Sequence, residues 1–323
     1  MPHVACCRTL PFPLDLPGCE VRFGPERGVM KPPELHDFIR GADAVVTWFC
    51  DKIDGPAMDA AGQQLKIMSN FAVGYDNIDL AAAKQRGIVI TNTPDAVTEG
   101  TADMAWALLL GAARRMALAD RFARDGRWPA AGILGPADLM GLPIAGRTLL
   151  IVGAGRIGYA TALRSLGWGM RVLYHARSRK PNFEFAPLNA RRVELDDGLR
   201  EADFVSIHTP LHEGTRHLVD ARRLALMKPT AVLVNTARGP VVDEEALADA
   251  LIAGRLFGAG LDVFEREPAV HPKLVGLENV FMAPHIGSAD SNSRRLMVEL
   301  CAANIRAVLA GKPALTPVSA GVI

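Results

Sequence analysis

Three glycines, Gly153, Gly155 and Gly158, directly follow an apolar segment and precede a stretch rich in alanine and leucine. This order of strand, glycine loop and helix is typical of dinucleotide-binding α/β domains. The first glycine permits a tight turn, the second lets a pyrophosphate approach the backbone, and the third lets helix and strand pack closely. Backbone N–H groups at the start of the helix, around Arg156 and Ile157, would bind the pyrophosphate. The sequence therefore predicts a Rossmann fold and a nucleotide cofactor.

The strand that follows the glycine loop ends without an acid. NAD-binding domains usually carry a carboxylate about 20 residues after the glycines, where it binds the ribose 2′-OH. Here His175 takes that place, and Arg177, Ser178, Arg179 and Lys180 follow it. Guanidinium groups bind a 2′-phosphate bidentately, so we predict NADPH as the preferred cofactor and NADH as a weaker one. The alternative is that these charges form an ordinary solvated loop.

Length and composition bound the class of protein. The chain has 323 residues, which predicts about two domains. The 36 basic and 35 acidic side chains give a net charge of +1, which disfavours nucleic acid and anionic membranes as partners. The five cysteines are odd in number and scattered, so neither a zinc site nor a disulfide framework is predicted. The N-terminal sequence has no signal-peptide pattern, so we expect a cytoplasmic protein.

Short apolar segments alternate with helical stretches along both halves of the chain. The apolar stretch Glu99–Arg115 is expected to form a helix that bridges two domains, and Asn292–Leu309 a helix that returns to the first. We predict an α/β protein of two parallel-sheet domains, Rossmann-like and flavodoxin-like, with a cleft between them. The predicted bounds are 1–98 with 287–323 for a discontinuous substrate-binding domain, and 99–286 for an NADP-binding domain. The six strands predicted for the second domain are Thr148–Val152, Arg171–Tyr174, Phe204–Ile207, Ala231–Val234, Gly258–Leu261 and Val280–Met282.

Polar residues of the second half fall just past the predicted strand ends. They are His208, Thr209 and Pro210, then residues 235–239, and later Asp262 and His285. Ligands of open α/β sheets bind at the carboxyl ends of the strands, so these residues are expected to face one crevice.

Several motifs resemble those of the D-2-hydroxyacid dehydrogenases, specifically the glyoxylate/hydroxypyruvate reductase branch. Besides the glycine loop they are NFAVGYDNID at 70–79, TPD at 93–95, NTARG at 235–239, DVFEREP at 262–268 and APHIGS at 283–288. The similarity covers nearly the whole chain from about Ala44 onward.

The resemblance implies three catalytic residues, Arg238, Glu267 and His285. Reduction of a 2-keto acid needs a cation for the carboxylate and an acid that protonates the ketone oxygen. Arginine offers a permanently charged fork for the first task, and histidine titrates near neutrality, as the second requires. Glu267 would fix the imidazole tautomer and favour its protonated form. The family pattern also implies that backbone N–H groups of Val73 and Gly74 bind the substrate carboxylate.

The resemblance also implies further cofactor contacts. Thr101 would bind a cofactor phosphate, although a packing role for this threonine is an open alternative. The complete predicted set of cofactor-binding residues is Gly153, Gly155, Arg156, Ile157, Gly158, Arg177, Ser178, Arg179, Lys180, His208, Thr209, Pro210, Thr236, Ala237, Asp262, Thr101 and Gly287. No metal is predicted.

Together these features predict a dimeric, NADPH-preferring reductase of glyoxylate and hydroxypyruvate, with Trp128 as a candidate interface anchor. One alternative is a dehydrogenase of the same fold that acts on a bulkier 2-keto acid, formate or phosphite. Formate has no ketone to protonate, which would leave the pair of His285 and Glu267 unexplained. The other alternative is a non-catalytic protein that senses dinucleotides, because fold does not fix function.

Overall fold

The computed structural model describes residues 1–318, which form two compact units. The smaller unit contains Met1–Val97 and the chain from Ala289 onward, and the larger contains Thr98–Ser288. Each is built on one parallel sheet with flanking helices, which confirms the predicted α/β class. No helix within these residues is long and apolar enough to span a membrane.

The smaller unit has a five-stranded sheet in the order β2-β1-β3-β4-β5, which is the flavodoxin-like order. Strands β3 and β4 are buried along their whole length, as is typical of parallel strands covered on both faces. The elements before the boundary are β1 His3–Cys6, β2 Glu20–Phe23, α1 Pro32–Ile39, β3 Ala44–Thr47, α2 Gly55–Ala61, β4 Ile67–Asn70, α3 Leu80–Gln85 and β5 Val89–Thr91.

The long helix Ser291–Leu309 completes the smaller unit. It begins where Asp290 caps the first turn by accepting a hydrogen bond from the Ser293 N–H at 2.8 Å. Its fully buried residues Cys301 and Ile305 lie on the face that packs against strands β3 to β5. The chain thus returns to the first sheet after it has formed the second.

The larger unit has a seven-stranded parallel sheet in the order β12-β11-β10-β9-β6-β7-β8. Chain order reverses between β6 and β9, which is the Rossmann arrangement with its ligand crevice at that reversal. The elements are α4 Thr98–Ala113, α5 Met116–Arg124, α6 Arg127–Ala131, β6 Thr148–Val152, α7 Arg156–Arg164, β7 Arg171–His175, α8 Pro181–Glu184, β8 Arg191–Arg192, α9 Leu195–Glu201, β9 Phe204–Ile207, α10 Ala221–Leu224, β10 Val232–Asn235, α11 Glu244–Ile252, β11 Gly258–Leu261, α12 Pro272–Val275 and β12 Val280–Met282. The Ser291–Leu309 helix is α13.

One sequence-based expectation about this unit is wrong. The sheet has seven strands and not six, because the two exposed arginines Arg191 and Arg192 pair with β7 without any apolar pattern. Helix α4 begins at the boundary between the two units and belongs to the larger one. Its buried residues Leu108, Leu109 and Ala112 place it in the core of the larger unit, where it packs on β10 and β11.

Candidate active site

The glycine loop joins β6 to α7 at the reversal of strand order. Gly153 has φ +99°, and a Cβ there would lie 2.7 Å from the His208 carbonyl, so only glycine fits. A Cβ on Gly158 would lie 2.2 Å from the Gly153 oxygen, so its absence lets α7 pack on β6. At Gly155 the position of a Cβ is open, which leaves room for a ligand at the start of the helix. Arg156, its first residue, is exposed.

Residues that follow β9 and β10 face the same end of the sheet. The hydroxyl oxygens of Thr209 and Thr236 are buried and have no hydrogen-bond partner within residues 1–318. Buried polar atoms are normally paired, so these two hydroxyls are available to bind a ligand. Together with the open position at Gly155, they fit a dinucleotide bound along this edge.

The remaining residues of these two segments have internal partners. His208 Nε2 lies 2.8 Å from Ser206 Oγ, and burial lowers the pKa of His208 to about 3, so the ring is neutral. The carbonyl of Pro210 accepts a bond from the Thr215 hydroxyl at 2.7 Å. The N–H of Ala237 donates to Asn235 Oδ1 at 3.0 Å, which shapes the turn after β10.

The basic loop lies between β7 and α8. Arg177, Ser178 and Arg179 are exposed, Lys180 is half-buried, and no carboxylate follows directly at the end of β7. Arg192 Nη2 donates to the carbonyls of residues 176 and 177 at 3.0 and 3.2 Å, so β8 braces the loop from beside β7. The exposed cations therefore lie on a loop whose backbone is held at residues 176 and 177.

The proposed catalytic acid and its partner are in direct contact. His285 Nδ1 and Glu267 Oε2 lie 2.7 Å apart, with side chains 22% and 26% exposed. Glu267 Oε1 also accepts from the Phe264 N–H at 2.9 Å, so both carboxylate oxygens are held. Burial opposes ionisation of Glu267, but the hydrogen bond and charge of His285 and the charge of Arg238 hold the pKa of that carboxyl below its usual value.

Arg238 lies in the turn after β10, as predicted from the strand ends. Asn235, the last residue of β10, donates from Nδ2 to the Arg238 carbonyl at 2.9 Å and fixes the backbone of the turn. A Cβ on Gly239, the residue after Arg238, would lie 1.9 Å from the carbonyl carbon of Phe264, so this turn packs against the segment that carries Glu267, whose pKa Arg238 lowers. Arg238, Glu267 and His285 belong to the segments that follow the carboxyl ends of β10, β11 and β12.

The backbone at His285 is strained and firmly held. Its φ is +54°, in the left-handed region that non-glycine residues rarely adopt. The His285 N–H donates to the Asp262 carbonyl at 2.8 Å, and the Ile286 and Gly287 N–H groups donate to the Asp262 carboxylate at 2.8 and 2.7 Å. Asp262 therefore has a structural role. Its predicted contact with the cofactor stays a prediction, as does that of Gly287.

Thr101 lies close to this segment. A Cβ built on Gly287 would be 3.8 Å from Thr101 Oγ1 and 2.8 Å from Asp262 Oδ2, so α4 and the segment after β12 meet here. The threonine is buried. Its position is compatible with either of the two roles considered for it.

Val73 and Gly74 lie in the smaller unit, after β4. Asn92 donates to the Val73 carbonyl and Asn70 to the Gly74 carbonyl, each at 2.8 Å. Neither N–H of the two residues donates to an acceptor within the described chain. The segment thus presents two backbone donors, as the predicted carboxylate contact requires.

Comparison with known proteins decides the family. A family model described as D-isomer specific 2-hydroxyacid dehydrogenase, NAD binding domain, matches residues 106–287. The chain belongs to the D-isomer specific 2-hydroxyacid dehydrogenases. This confirms the predicted family and its dinucleotide cofactor, NAD(P), and makes the chain an oxidoreductase.

Relatives of this dehydrogenase share most of its length. It is 51% identical to the glyoxylate reductase of Thermococcus onnurineus over 86% of this chain and 83% of that protein. Among solved structures, a protein from Thermus thermophilus matches with a TM-score of 0.90 and 44% identity, covering 98% of this chain and 99% of that one. An NADPH-dependent glyoxylate/hydroxypyruvate reductase from Sinorhizobium meliloti, in complex with NADP and malonate, matches with a TM-score of 0.83 and 33% identity, covering 98% and 96%.

Sequence reasoning misses three features that shape the site of this dehydrogenase. The first is the contact of the Asp262 carboxylate with the backbone next to His285, a role separate from its predicted cofactor contact, which stays a prediction. Arg192 and Glu184, which contact the basic loop, belong to no motif at all.

Within residues 1–318 no group of three or more His, Cys, Asp and Glu side chains could hold a metal ion.

Proposed function

We propose that the chain is an NADPH-preferring reductase of small 2-keto acids, glyoxylate and hydroxypyruvate, which it converts to D-2-hydroxy acids. The observation that carries this proposal is the contact of His285 with Glu267 at 2.7 Å beside Arg238. A cation, an acid and its carboxylate partner are the groups that ketone reduction needs. The similarity to glyoxylate reductases supports the choice of substrate.

The residues divide the chemical work as follows. The bound cofactor supplies a hydride to carbon 2 of the keto acid. Arg238 binds the substrate carboxylate and polarises the ketone. His285 keeps its Nδ1 on Glu267, which leaves Nε2 to donate a proton to the ketone oxygen. Glu267 stabilises the imidazolium before transfer and holds the ring in place afterwards.

The basic loop and the two threonines would hold the cofactor. We assign the pyrophosphate to the glycine loop, the 2′-phosphate to Arg177 and its neighbours, and the hydroxyls of Thr209 and Thr236 to the nucleotide. The larger unit would therefore be the NADP-binding domain. The smaller unit would bind substrate through Val73 and Gly74.

A substrate panel tests the activity. Purified protein is mixed with NADPH and glyoxylate, hydroxypyruvate, pyruvate or a bulkier 2-keto acid, and absorbance at the nicotinamide band is followed, with NADH in parallel. Oxidation of formate and phosphite is measured in the reverse direction with NADP and NAD. We expect the highest catalytic efficiency with glyoxylate or hydroxypyruvate. If the protein oxidised only formate or phosphite and reduced no 2-keto acid, the proposed function would be wrong.

The cofactor preference gives a second prediction. Hydrogen bonds to charged groups contribute about 1.5–3 kcal/mol each, so two arginines should give on the order of 10²-fold preference for NADPH. The double variant Arg177→Ala/Arg179→Ala should lose most of it, while efficiency with NADH changes little. Steady-state kinetics with both cofactors measure the ratio. Equal efficiency in the wild type, or an unchanged ratio in the variant, would contradict the assignment.

We propose that the enzyme is a homodimer. Large apolar side chains between α4 and β6 are exposed in the single chain, with Trp128 at 53%, Ile133 at 99% and Met140 at 68%. Several large apolar side chains exposed within one segment are typical of a protein interface. Sedimentation velocity should show a dimer at micromolar concentration, and Trp128→Asp should shift it toward monomer. A wild-type monomer would refute the proposal.

A further inference from the structure

The two arginines of the basic loop have different environments. Arg179 binds Glu184, with Nε donating to Oε1 at 3.2 Å and to Oε2 at 2.9 Å, and with Nη2 also on Oε2. Arg177 has no acidic partner within residues 1–318, and only its carbonyl is held, by Arg192. One edge of the Arg179 guanidinium, formed by Nε and Nη2, is therefore bound to a carboxylate of the chain itself.

Glu184 is not a mobile surface acid. Its side chain is only 14% exposed, whereas that of Arg179 is 75% exposed. Tyr174, a fully buried residue of β7, donates from its hydroxyl to Glu184 Oε1 at 2.6 Å. The Lys180 N–H in turn donates to the Tyr174 hydroxyl at 2.9 Å. Hydrogen bonds from Arg179 first and Tyr174 second lower the pKa of Glu184, so the group is ionised at neutral pH.

The carboxylate thus has a fixed place next to the loop. An acid that binds the ribose 2′-OH of NAD usually stands at the end of the strand equivalent to β7. Here that position is His175, and the acid comes later, at the end of α8. A fixed negative charge beside bound arginine weakens its attraction for a phosphate, because the two opposite charges largely cancel at a distance.

We propose that Glu184 limits the preference of this enzyme for NADP(H) over NAD(H), by holding one edge of the Arg179 guanidinium and by adding a negative charge beside the 2′-phosphate. The inference rests on the proposed NADPH preference and on the assignment of the phosphate to this loop. Arg177 then supplies most of the recognition of the 2′-phosphate.

The variant Glu184→Gln tests the inference. Glutamine keeps the shape and can still accept the Tyr174 hydrogen bond, but it removes the charge that holds Arg179. The ratio of kcat/KM for NADPH to that for NADH should rise about fivefold, which is the scale of a surface ion pair. Efficiency with NADH should stay within about twofold. Fluorescence titration of both reduced cofactors should show the same change in the ratio of dissociation constants.

The matched control is Glu201→Gln. Glu201 also accepts a hydrogen bond from an arginine, Arg191. Its Oε1 lies 3.5 Å from Nη1 of Arg171, the first residue of β7. It therefore sits at the opposite end of the strand from the basic loop. Loss of its charge should leave the cofactor ratio unchanged.

Single arginine variants and a double variant separate this inference from the proposed function. Arg177→Ala should lower the NADPH/NADH ratio more than Arg179→Ala, and Glu184→Gln should raise it clearly less in the Arg179→Ala background. If neither arginine matters, the cofactor assignment itself fails. If both arginines matter and Glu184→Gln leaves the ratio unchanged or lowers it, the phosphate assignment stands and the inference about Glu184 is wrong.

Discussion

Replacement of His285 by alanine should lower the turnover number for glyoxylate by about 10²–10⁴-fold, the usual contribution of a positioned general acid. The loss arises because the imidazole that Glu267 holds is the group that protonates the ketone oxygen as hydride arrives. NADPH affinity, measured by fluorescence titration, should remain close to that of the wild type. Steady-state kinetics at saturating cofactor measure the turnover.

His3→Ala is the matched control, because His3 forms an exposed pair with Glu20 at 3.3 Å in the smaller unit. This variant should keep full activity. Glu267→Gln keeps the shape of the partner but removes the charge that favours imidazolium, so the pH at which reduction declines should move downward. A near-normal kcat in His285→Ala would show that His285 is not the general acid. An unchanged pH profile in Glu267→Gln would show only that Glu267 does not act on it.

Arg238→Lys should lower kcat/KM for glyoxylate by on the order of 10²-fold, through both a higher KM and a lower kcat. A lysine ammonium is a point charge and cannot replace the planar fork that binds a carboxylate bidentately and also polarises the ketone. Kinetics over a range of glyoxylate concentrations, at saturating NADPH, separate the two effects.

Arg200→Lys provides the control for this exchange. Arg200 is an exposed residue of α9 whose only charged partner in the described chain is Asp197, three positions earlier, at 2.9 Å. The same chemical change there should leave both kinetic constants unaltered. If Arg238→Lys kept the wild-type KM and kcat, the assignment of Arg238 to substrate binding would be wrong.

The sequence predicted the elements whose physical requirements are local. The turn at Gly153 needs a positive φ, and the contact of α7 with β6 needs a missing side chain at Gly158, so both positions appear directly as glycine. Strand ends could be located from apolar runs, and they placed Arg238 and His285 at the same edge of the sheet. The family resemblance then supplied Glu267 as the partner.

Other features depend on tertiary packing and left no local signal. Strand β8 consists of two exposed arginines, which are paired only because β7 lies beside them. Glu184 reaches the basic loop because buried Tyr174 fixes its direction. Helix α4 is apolar on most of its surface, and only the sheet it packs on shows that it belongs to the core of the larger unit.

Asp262 accepts hydrogen bonds from the consecutive N–H groups of residues 285–287, and this affects how the enzyme reaches its transition state. A left-handed residue with a β-carbon is unfavourable by about 1–2 kcal/mol, and here that strain is offset during folding by bonds to a buried aspartate. Because the backbone is held in this way and Glu267 binds Nδ1, the imidazole has little conformational freedom left to lose when a keto acid arrives. Its orientation is inherited from the folded chain, so substrate binding energy can be used to position the substrate and not the acid.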